Sequence, residues 1–374
     1  MKRILLVGGG SGGHVYPLVA VANALREKAQ QNGIDLDLRL WGDGDFLNKA
    51  ADESGIRSAK IIGGKVRRYF SLLNIGDFFK SILGFIQSVW LMYWYMPDTV
   101  FTKGGYVSVM PAIAAKLYMI PVYIHESDST PGLANSVVSK IAKKIFISFE
   151  SSAKYYSPSK IEVVGNPVRK EILEGDKNTA LGVFNFSPDK KTILFLGGSQ
   201  GAKKINDLVL ESIIQLTQNY QVVHQCGESQ HKTVLEEVEK YQKEGQSSYG
   251  NQIASNYRLY PFLSLEEIKS AYVLADVIVA RGGAGLIFEI AASAKPAIII
   301  PLSLEASRGD QIANAEEFAR YGAIVLEEDN LTIHILINQI EHLLRAENYQ
   351  TISEKIKSFS RPDAADKIAE ALLQ

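Results

Sequence analysis

The sequence predicts an α/β protein made of two doubly wound parallel-sheet domains facing a cleft. Three observations predict it. First, 374 residues exceed what one hydrophobic core ordinarily organises. Second, short apolar, β-branched runs alternate with stretches of helical periodicity along the whole chain, as buried parallel strands and their crossover helices do. Third, each half opens on the same unit of strand, glycine-rich loop and helix. Ile4–Val7 runs into Gly8-Gly9-Gly10-Ser11-Gly12-Gly13-His14, and Thr192–Leu196 runs into Gly197-Gly198-Ser199-Gln200-Gly201-Ala202.

Composition narrows the class. The chain is 46% hydrophobic and 22% charged, ordinary for a soluble globular protein. Net charge is −1, yet residues 1–165 carry 19 Lys/Arg against 13 Asp/Glu, and residues 166–374 carry 21 against 28. A basic N-terminal half suits a polyanion or an acidic membrane surface, with chance asymmetry as the alternative. Cys226 is the single cysteine, so no intrachain disulfide is possible and a reducing compartment fits. The basic tip at Lys2-Arg3 precedes only four apolar residues before the glycines. That is a first strand rather than an export signal, so a cytosolic protein is expected.

In chain order, the first glycine loop leads past Pro17 into a helical run from Leu18 to Lys28. Gly8, Gly10 and Gly13 match a dinucleotide fingerprint by spacing, but several registers would match. The next strand, Leu36–Leu40, ends in Trp41-Gly42-Asp43, too far on for a ribose-binding carboxylate. An anion nest or a close backbone approach to a ligand is the better reading. His14 stands at the mouth of this loop, above a strand's C-terminal end. There it can serve as a general base, or it can simply cap or pack the helix.

Residues 65–96 mix basic and apolar side chains. Lys65, Arg67, Arg68 and Lys80 flank a helical stripe of Leu72, Ile75, Phe79, Ile82, Leu83, Ile86, Trp90 and Tyr93. The stripe can bury against a sheet, and Leu73, Phe78 and Phe85 lie outside it, which would leave some large apolar residues exposed. The stretch reads either as a membrane-surface patch or as core. A spanning helix is not expected, because Lys80, Gln87 and Ser88 interrupt the run.

Strand Thr99–Thr102 then meets Lys103-Gly104-Gly105-Tyr106, and strand Val122–Ile124 meets the polar tip His125-Glu126-Ser127-Asp128. The tip suits a polyhydroxylated ligand better than a metal, which would want converging ligands from elsewhere. Residues 148–190 look like the join between domains. In the second half, strand Gln221–His224, the Tyr257–Leu263 segment and a charged helix over 231–243 lead to Val277-Ile278-Val279. Arg281-Gly282-Gly283-Ala284-Gly285 and a helix bearing Glu289 follow. A glycine turn feeding a helix N-terminus suits a phosphate, and Glu289 then suits a ribose; an ordinary βα turn is the alternative. Gln311 and Asn314 lie on one helical face, where amides suit sugar hydroxyls.

These motifs together resemble the MurG family of bacterial N-acetylglucosaminyltransferases. The carriers are Gly9–His14, Gly104-Gly105-Tyr106-Val107-Ser108, His125-Glu126, Pro131-Gly132-Leu133-Ala134-Asn135, Gly165-Asn166-Pro167-Val168-Arg169, Gly197–Ala202 and Ala284–Glu289. The resemblance spans nearly the whole chain and implies two Rossmann-like domains in the GT-B arrangement. It implies an acceptor and membrane-docking domain over 1–163 and a donor domain over 164–356. A C-terminal helix of about 357–374 would pack back on the first. The implied donor is UDP-N-acetylglucosamine, transferred with inversion to a lipid-diphosphate-linked muramyl peptide.

By resemblance, Glu289 binds the ribose. Ala284, Gly285, Leu286, Ser199, Gln200 and Arg169 surround the diphosphate. Phe262 and Leu263 form the uracil pocket, with backbone groups of Leu263 reading the base edge, and Gln311 and Asn314 hold the sugar. Ser11, Gly12, Gly13, His14, Tyr106, His125, Glu126 and Asp128 face the acceptor, with His14 the catalytic base. Ser11, Asp128, Leu286 and Asp310 depart from the family's usual Thr, Asn, Thr and Gln or His. No cofactor, metal or nucleic acid is expected. The expected place is the cytoplasmic face of the membrane, with residues 65–85 meeting anionic lipid. A transferase for another glycolipid, a UDP-sugar epimerase and a non-catalytic UDP-sugar binder are the competing functions.

Overall fold

The computed structural model describes residues 1–10, 12–64, 73–198, 201–244, 249–305, 307 and 309–374. Two compact units emerge. The first contains Met1–Arg169 with Arg361–Gln374, and the second contains Lys170–Ser360.

The first unit begins β1 (Lys2–Val7), α1 (Gly12–Gln31), β2 (Leu36–Gly42), α2 (Asp45–Ser54), β3 (Arg57–Lys60) and α3 (Leu73–Tyr95). It continues with β4 (Thr99–Thr102), α4 (Val109–Leu117), β5 (Val122–Glu126), α5 (Leu133–Val138), β6 (Lys144–Ile147) and β7 (Ile161–Val163). The strands form a parallel sheet in the order β3-β2-β1-β4-β5-β6-β7. Strand order reverses between β1 and β4, so the loops after these two strands open side by side, where open α/β sheets bind ligands. Alternation along β1 feeds two core layers. Ile4 and Leu6 join Leu18 and Leu25 of α1, while Leu5 and Val7 join Met92, Tyr95 and Ala112.

The second unit holds α6 (Lys177–Phe184), β8 (Thr192–Leu196), α7 (Lys203–Asn219), β9 (Gln221–Gln225), α8 (His231–Glu244), α9 (Tyr249–Asn256) and β10 (Tyr257–Tyr260). There follow α10 (Leu265–Leu274), β11 (Ala275–Ala280), α11 (Ala284–Ser293), β12 (Ala297–Ile299), α12 (Asp310–Ala319), β13 (Ile324–Val325), α13 (Ile333–Leu344) and α14 (Ala346–Phe359). This parallel sheet runs β10-β9-β8-β11-β12-β13, with its reversal between β8 and β11. The last helix, α15 (Ala364–Leu373), belongs to the first unit, where it packs along α1 and joins its core.

The stripe on α3 that the sequence offered for burial against a sheet is the exposed face. Ile75, Phe78, Phe79, Ile82, Leu83, Ile86, Trp90, Tyr93 and Trp94 are each 42–67% exposed. The inward face is instead Asp77, Ser81, Gly84, Ser88, Met92 and Tyr95, also at helical spacing, while Phe85 is half-buried. The reason is close backbone approach. A Cβ on Gly84 would stand 1.9 Å from the Ile62 carbonyl oxygen, so small residues must face the 61–64 segment. Ser81 and Ser88 return their hydroxyls to the Asp77 and Gly84 carbonyls at 2.9 and 2.6 Å. Lys65, Arg67, Arg68 and Leu72 lie outside the described residues, as does the Leu73 side chain.

Candidate functional site

In the first unit, β1 ends at Val7 and α1 starts at Gly12, which puts His14 in the first helical turn. Its Nδ1 lies 3.1 Å from the Lys103 carbonyl oxygen. A carbonyl only accepts, so Nδ1 carries the proton in the neutral ring and Nε2 keeps its lone pair. Burial lowers the imidazole pKa to about 4. The Lys103 charge adds to that shift, against the carbonyl hydrogen bond. His14 is therefore neutral at pH 7, with a base-ready Nε2. Gly12 is buried and Gly13 exposed beside it, while Ser11 lies outside the described residues.

Beneath the loop lies a buried polar cluster. Lys103 follows β4, is fully buried, and donates from Nζ to His125 Nδ1 and Asn166 Oδ1, each at 2.8 Å, and to Ser127 Oγ. His125 Nε2 donates to the Gly165 carbonyl at 2.8 Å. His125 is fully buried with both ring nitrogens engaged. Glu126 likewise turns inward. It is 3% exposed and accepts from the N–H groups of Asp128 and Gly132, from Asn135 Nδ2 and from the Tyr156 hydroxyl, at 3.0–3.2 Å. Burial, with Asp128 nearby, pushes its carboxyl up to about 7. Glu126 thus shapes the 126–135 loop that presents the half-buried Asp128.

Tyr106 is half-buried and donates to Asp43 Oδ2 at 2.8 Å, while Lys60 pairs with Asp43 Oδ1 at 3.3 Å. Burial acts to raise the Asp43 pKa, but hydrogen bonds from Tyr106, Gly44 and Lys60 hold it below the ordinary value. Burial pushes the Tyr106 phenol up to about 12. Arg169 stacks its guanidinium 4.3 Å from the Tyr16 ring centroid, and its buried Nε has no hydrogen-bond partner among the described residues.

In the second unit, Gly283 precedes α11 with no side-chain cap. The leading amides at Ala284, Gly285 and Leu286 therefore take no side-chain cap from the residue before the helix, and they stand at the positive end of its dipole. Glu289, one turn further, is half-buried, and its Oε2 accepts from the Tyr272 hydroxyl at 2.9 Å. A Cβ on Gly282 would meet the Gln311 carbonyl oxygen at 2.5 Å, so only glycine lets α12 approach the turn. Gln311 accepts from the Leu302 N–H at 3.2 Å. Asn314 is fully buried and donates to the Gly282 carbonyl at 3.2 Å. That bond ties α12 to the turn.

Leu263 is 2% exposed, and its N–H is taken by Gln225 Oε1 at 3.1 Å. The expected reading of a base edge by that N–H therefore competes with Gln225. Phe262 beside it is half-buried. Ser199 and Gln200 lie outside the described residues.

Sequence reasoning missed four residues that build these sites. Lys103 was visible as a charge placed directly between an apolar strand and two glycines. Arg281, 7% exposed, pairs with Glu328 at 2.6 Å and donates to the Ile300 and Pro301 carbonyls at 3.1 and 3.4 Å. Glu328 in turn accepts from the Ser303 N–H at 3.3 Å, bracing the loop after β12. Arg281 and Glu328 are far apart in sequence, and Gln225 sits in an apolar run; no local pattern marks them.

Comparison with known proteins bears on both units. Residues 4–147 match the glycosyltransferase family 28 N-terminal domain, and residues 192–368 match the family 28 C-terminal domain. The chain is 38% identical over 370 residues to UDP-N-acetylglucosamine--N-acetylmuramyl-(pentapeptide) pyrophosphoryl-undecaprenol N-acetylglucosamine transferase 2 of Bacillus anthracis, covering 98% of each chain. Its fold is similar to that of Acinetobacter baumannii MurG, with a TM-score of 0.70 at 24% identity over 100% of this chain and 99% of that one. It is also similar to UDP-GlcNAc 2-epimerase from Neisseria meningitidis, with a TM-score of 0.68 at 16% identity over 100% of both chains.

Proposed function

Because the chain belongs to glycosyltransferase family 28, and within it to the MurG family, we propose that it completes a lipid-linked peptidoglycan precursor. It transfers N-acetylglucosamine from UDP-N-acetylglucosamine to the muramyl C4 hydroxyl of an undecaprenyl-diphosphate-linked muramyl-pentapeptide. The observation that carries this reading is the 38% identity to the Bacillus anthracis transferase over 98% of each chain. In this reading the first unit takes the acceptor and the second takes the donor.

The chemistry follows from the side chains. The muramyl hydroxyl attacks C1 of the sugar from the face opposite UDP, inverting the anomeric centre. His14 Nε2 takes the hydroxyl proton, a role supported by the Nδ1 hydrogen bond that fixes the tautomer. The charge that grows on departing UDP meets the leading amides of α11. Glu289 holds the ribose and Gln311 the sugar, while Arg281 and Glu328 keep the loop after β12 in place.

We infer further that the protein works at the cytoplasmic face of the membrane as a peripheral protein. Among the described residues no helix is long and apolar enough to cross a bilayer. The exposed aromatic face of α3 supports surface docking. So does α4 packed beside it, which leads to exposed Leu117 and Met119. A cavity of about 350 Å³ there is lined by Lys116, Lys140, Lys143 and Lys160, a set suited to anionic headgroups.

The deciding experiment follows labelled N-acetylglucosamine from its UDP form onto the muramyl-pentapeptide diphosphate lipid, with UDP release measured in parallel. Transfer with matching UDP release is expected. UDP release without transfer overturns the acceptor. Release of free epimerised sugar, or UDP binding without turnover, overturns the transferase reading.

A further inference from the structure

We propose that Lys103 is a positioning residue for this reaction, holding a buried positive charge and a backbone carbonyl against His14 so that the imidazole stays neutral. The proposal rests on His14 being the base. One residue makes both connections. Its N–H donates to the Val7 carbonyl at 2.9 Å, continuing the β1–β4 pairing by one step, and its own carbonyl oxygen lies 3.1 Å from His14 Nδ1. Its side chain turns inward, fully buried, to His125 Nδ1, Ser127 Oγ and Asn166 Oδ1.

The hydrogen-bond roles identify the charge state. His125 Nε2 donates to the Gly165 carbonyl, so His125 Nδ1 in the neutral ring is an acceptor. Asn166 Oδ1 accepts as well, and the Ser127 oxygen has lone pairs to spare. Three acceptors match the three protons of an ammonium. All three are neutral, and among the described residues no carboxylate bonds Nζ. A buried charge so placed is costly, and a neutral side chain would tie the same strands together without that cost. What the charge adds is a field that low-dielectric surroundings screen weakly.

The groups facing Lys103 agree. Asp128 favours its charge, and Glu126, hydrogen-bonded by Tyr156, adds to that only once it ionises, at about 7. His125 and His14 are disfavoured as cations by it. Burial brings Lys103 down to about 7, against the pull of Asp128 and Glu126. It is therefore protonated throughout the range, near 4, in which His14 titrates.

The test is an NMR titration of the His14 ring in the full chain, paired with the pH dependence of kcat/KM, for wild type, Lys103→Met and Lys103→Arg. In Lys103→Met the His14 pKa is expected to rise by about one unit, and the acid limb of kcat/KM to move with it. Lys103→Arg keeps the charge and is expected to leave both near wild type. A folded Lys103→Met protein with an unmoved His14 titration overturns the proposal. If that variant does not fold, Lys103→Gln, which keeps side-chain donors without the charge, takes its place, and the same two outcomes decide. A moved His14 titration with an unmoved kcat/KM limb upholds the charge coupling and overturns the base assignment instead.

Discussion

At the scale of single residues, the imidazole of His14 is fixed by one carbonyl and kept neutral by burial and charge. His14→Ala is expected to lower kcat by about 10²–10⁴ while leaving the donor KM near wild type; steady-state transfer assays check it. Glu289→Ala is expected to do the reverse, weakening UDP-sugar binding by about 1.5–3 kcal/mol, roughly tenfold to 150-fold. Calorimetric titration with UDP reads that loss. Glu126 belongs to stability rather than chemistry. Its carboxyl ionises near 4.5 in an open chain but near 7 when folded. The unfolded state releases this proton first as pH rises. The contribution of Glu126 is therefore fully present below about pH 4.5 and lost as pH climbs through 7. Glu126→Gln removes that slope, so urea midpoints of variant and wild type should differ in their change between pH 5 and 7.5.

The same residues show what a sequence exposes. His14, Glu289 and the α11 amides were legible because local spacing dictates where they sit: a helix start, a turn, one helical step. Whether a polar side chain faces out or in depends on distant partners. His125 and Glu126 stand next to Asp128 in sequence, yet Lys103, Gly165 and Tyr156 draw the first two inward. Asn314 follows Gln311 by one helical turn, and the Gly282 carbonyl captures its amide. No one-dimensional pattern carries that information.

At the scale of elements, α3 inverts the usual amphipathic logic. A helix buries its apolar stripe when its neighbour offers an apolar surface. Here the neighbour is the backbone at Ile62, which Gly84 meets closely. Small residues go inward where the helix meets that backbone, Met92 and Tyr95 go inward only at its last turn, and the other aromatic residues go outward, with Trp90 against Trp94 and Phe78 against Phe79 in edge-to-face pairs. The stripe was readable from the sequence; its direction was not. Replacing Trp90 and Trp94 with Ser is expected to weaken partition onto anionic phospholipid vesicles by tenfold or more. Transfer to a short, water-soluble acceptor should be unchanged, since neither side chain belongs to the catalytic site. Vesicle sedimentation and the soluble-acceptor assay together check this.

At the scale of the whole molecule, the two parallel sheets were the most legible feature. Buried strands advertise themselves as apolar runs, and each sheet reverses its strand order beside a glycine loop. The division of the chain is less local. Residues 361–374 serve the first unit through Ala364, Ala365, Ile368, Ala369 and Leu372, all at most 4% exposed. Burying Ile368 and Leu372 alone contributes about 1.5–3 kcal/mol each, a large part of the about 5–15 kcal/mol that a domain has to spare. Deleting residues 361–374 is expected to lower the melting transition of the first unit selectively. The second unit should keep a transition that UDP raises, and scanning calorimetry with and without UDP separates the two.

That arrangement has a consequence for the order in which the protein is born. Translation delivers residues 170–360 as one uninterrupted block, so the second unit can finish folding while the ribosome is still at work. The first unit, although its sheet emerges earlier, waits for α15 to cover α1. The half of the molecule made first is thus the half completed last. During that interval an apolar groove along α1 and the aromatic face of α3 are both open to whatever the nascent chain meets, chaperone or bilayer.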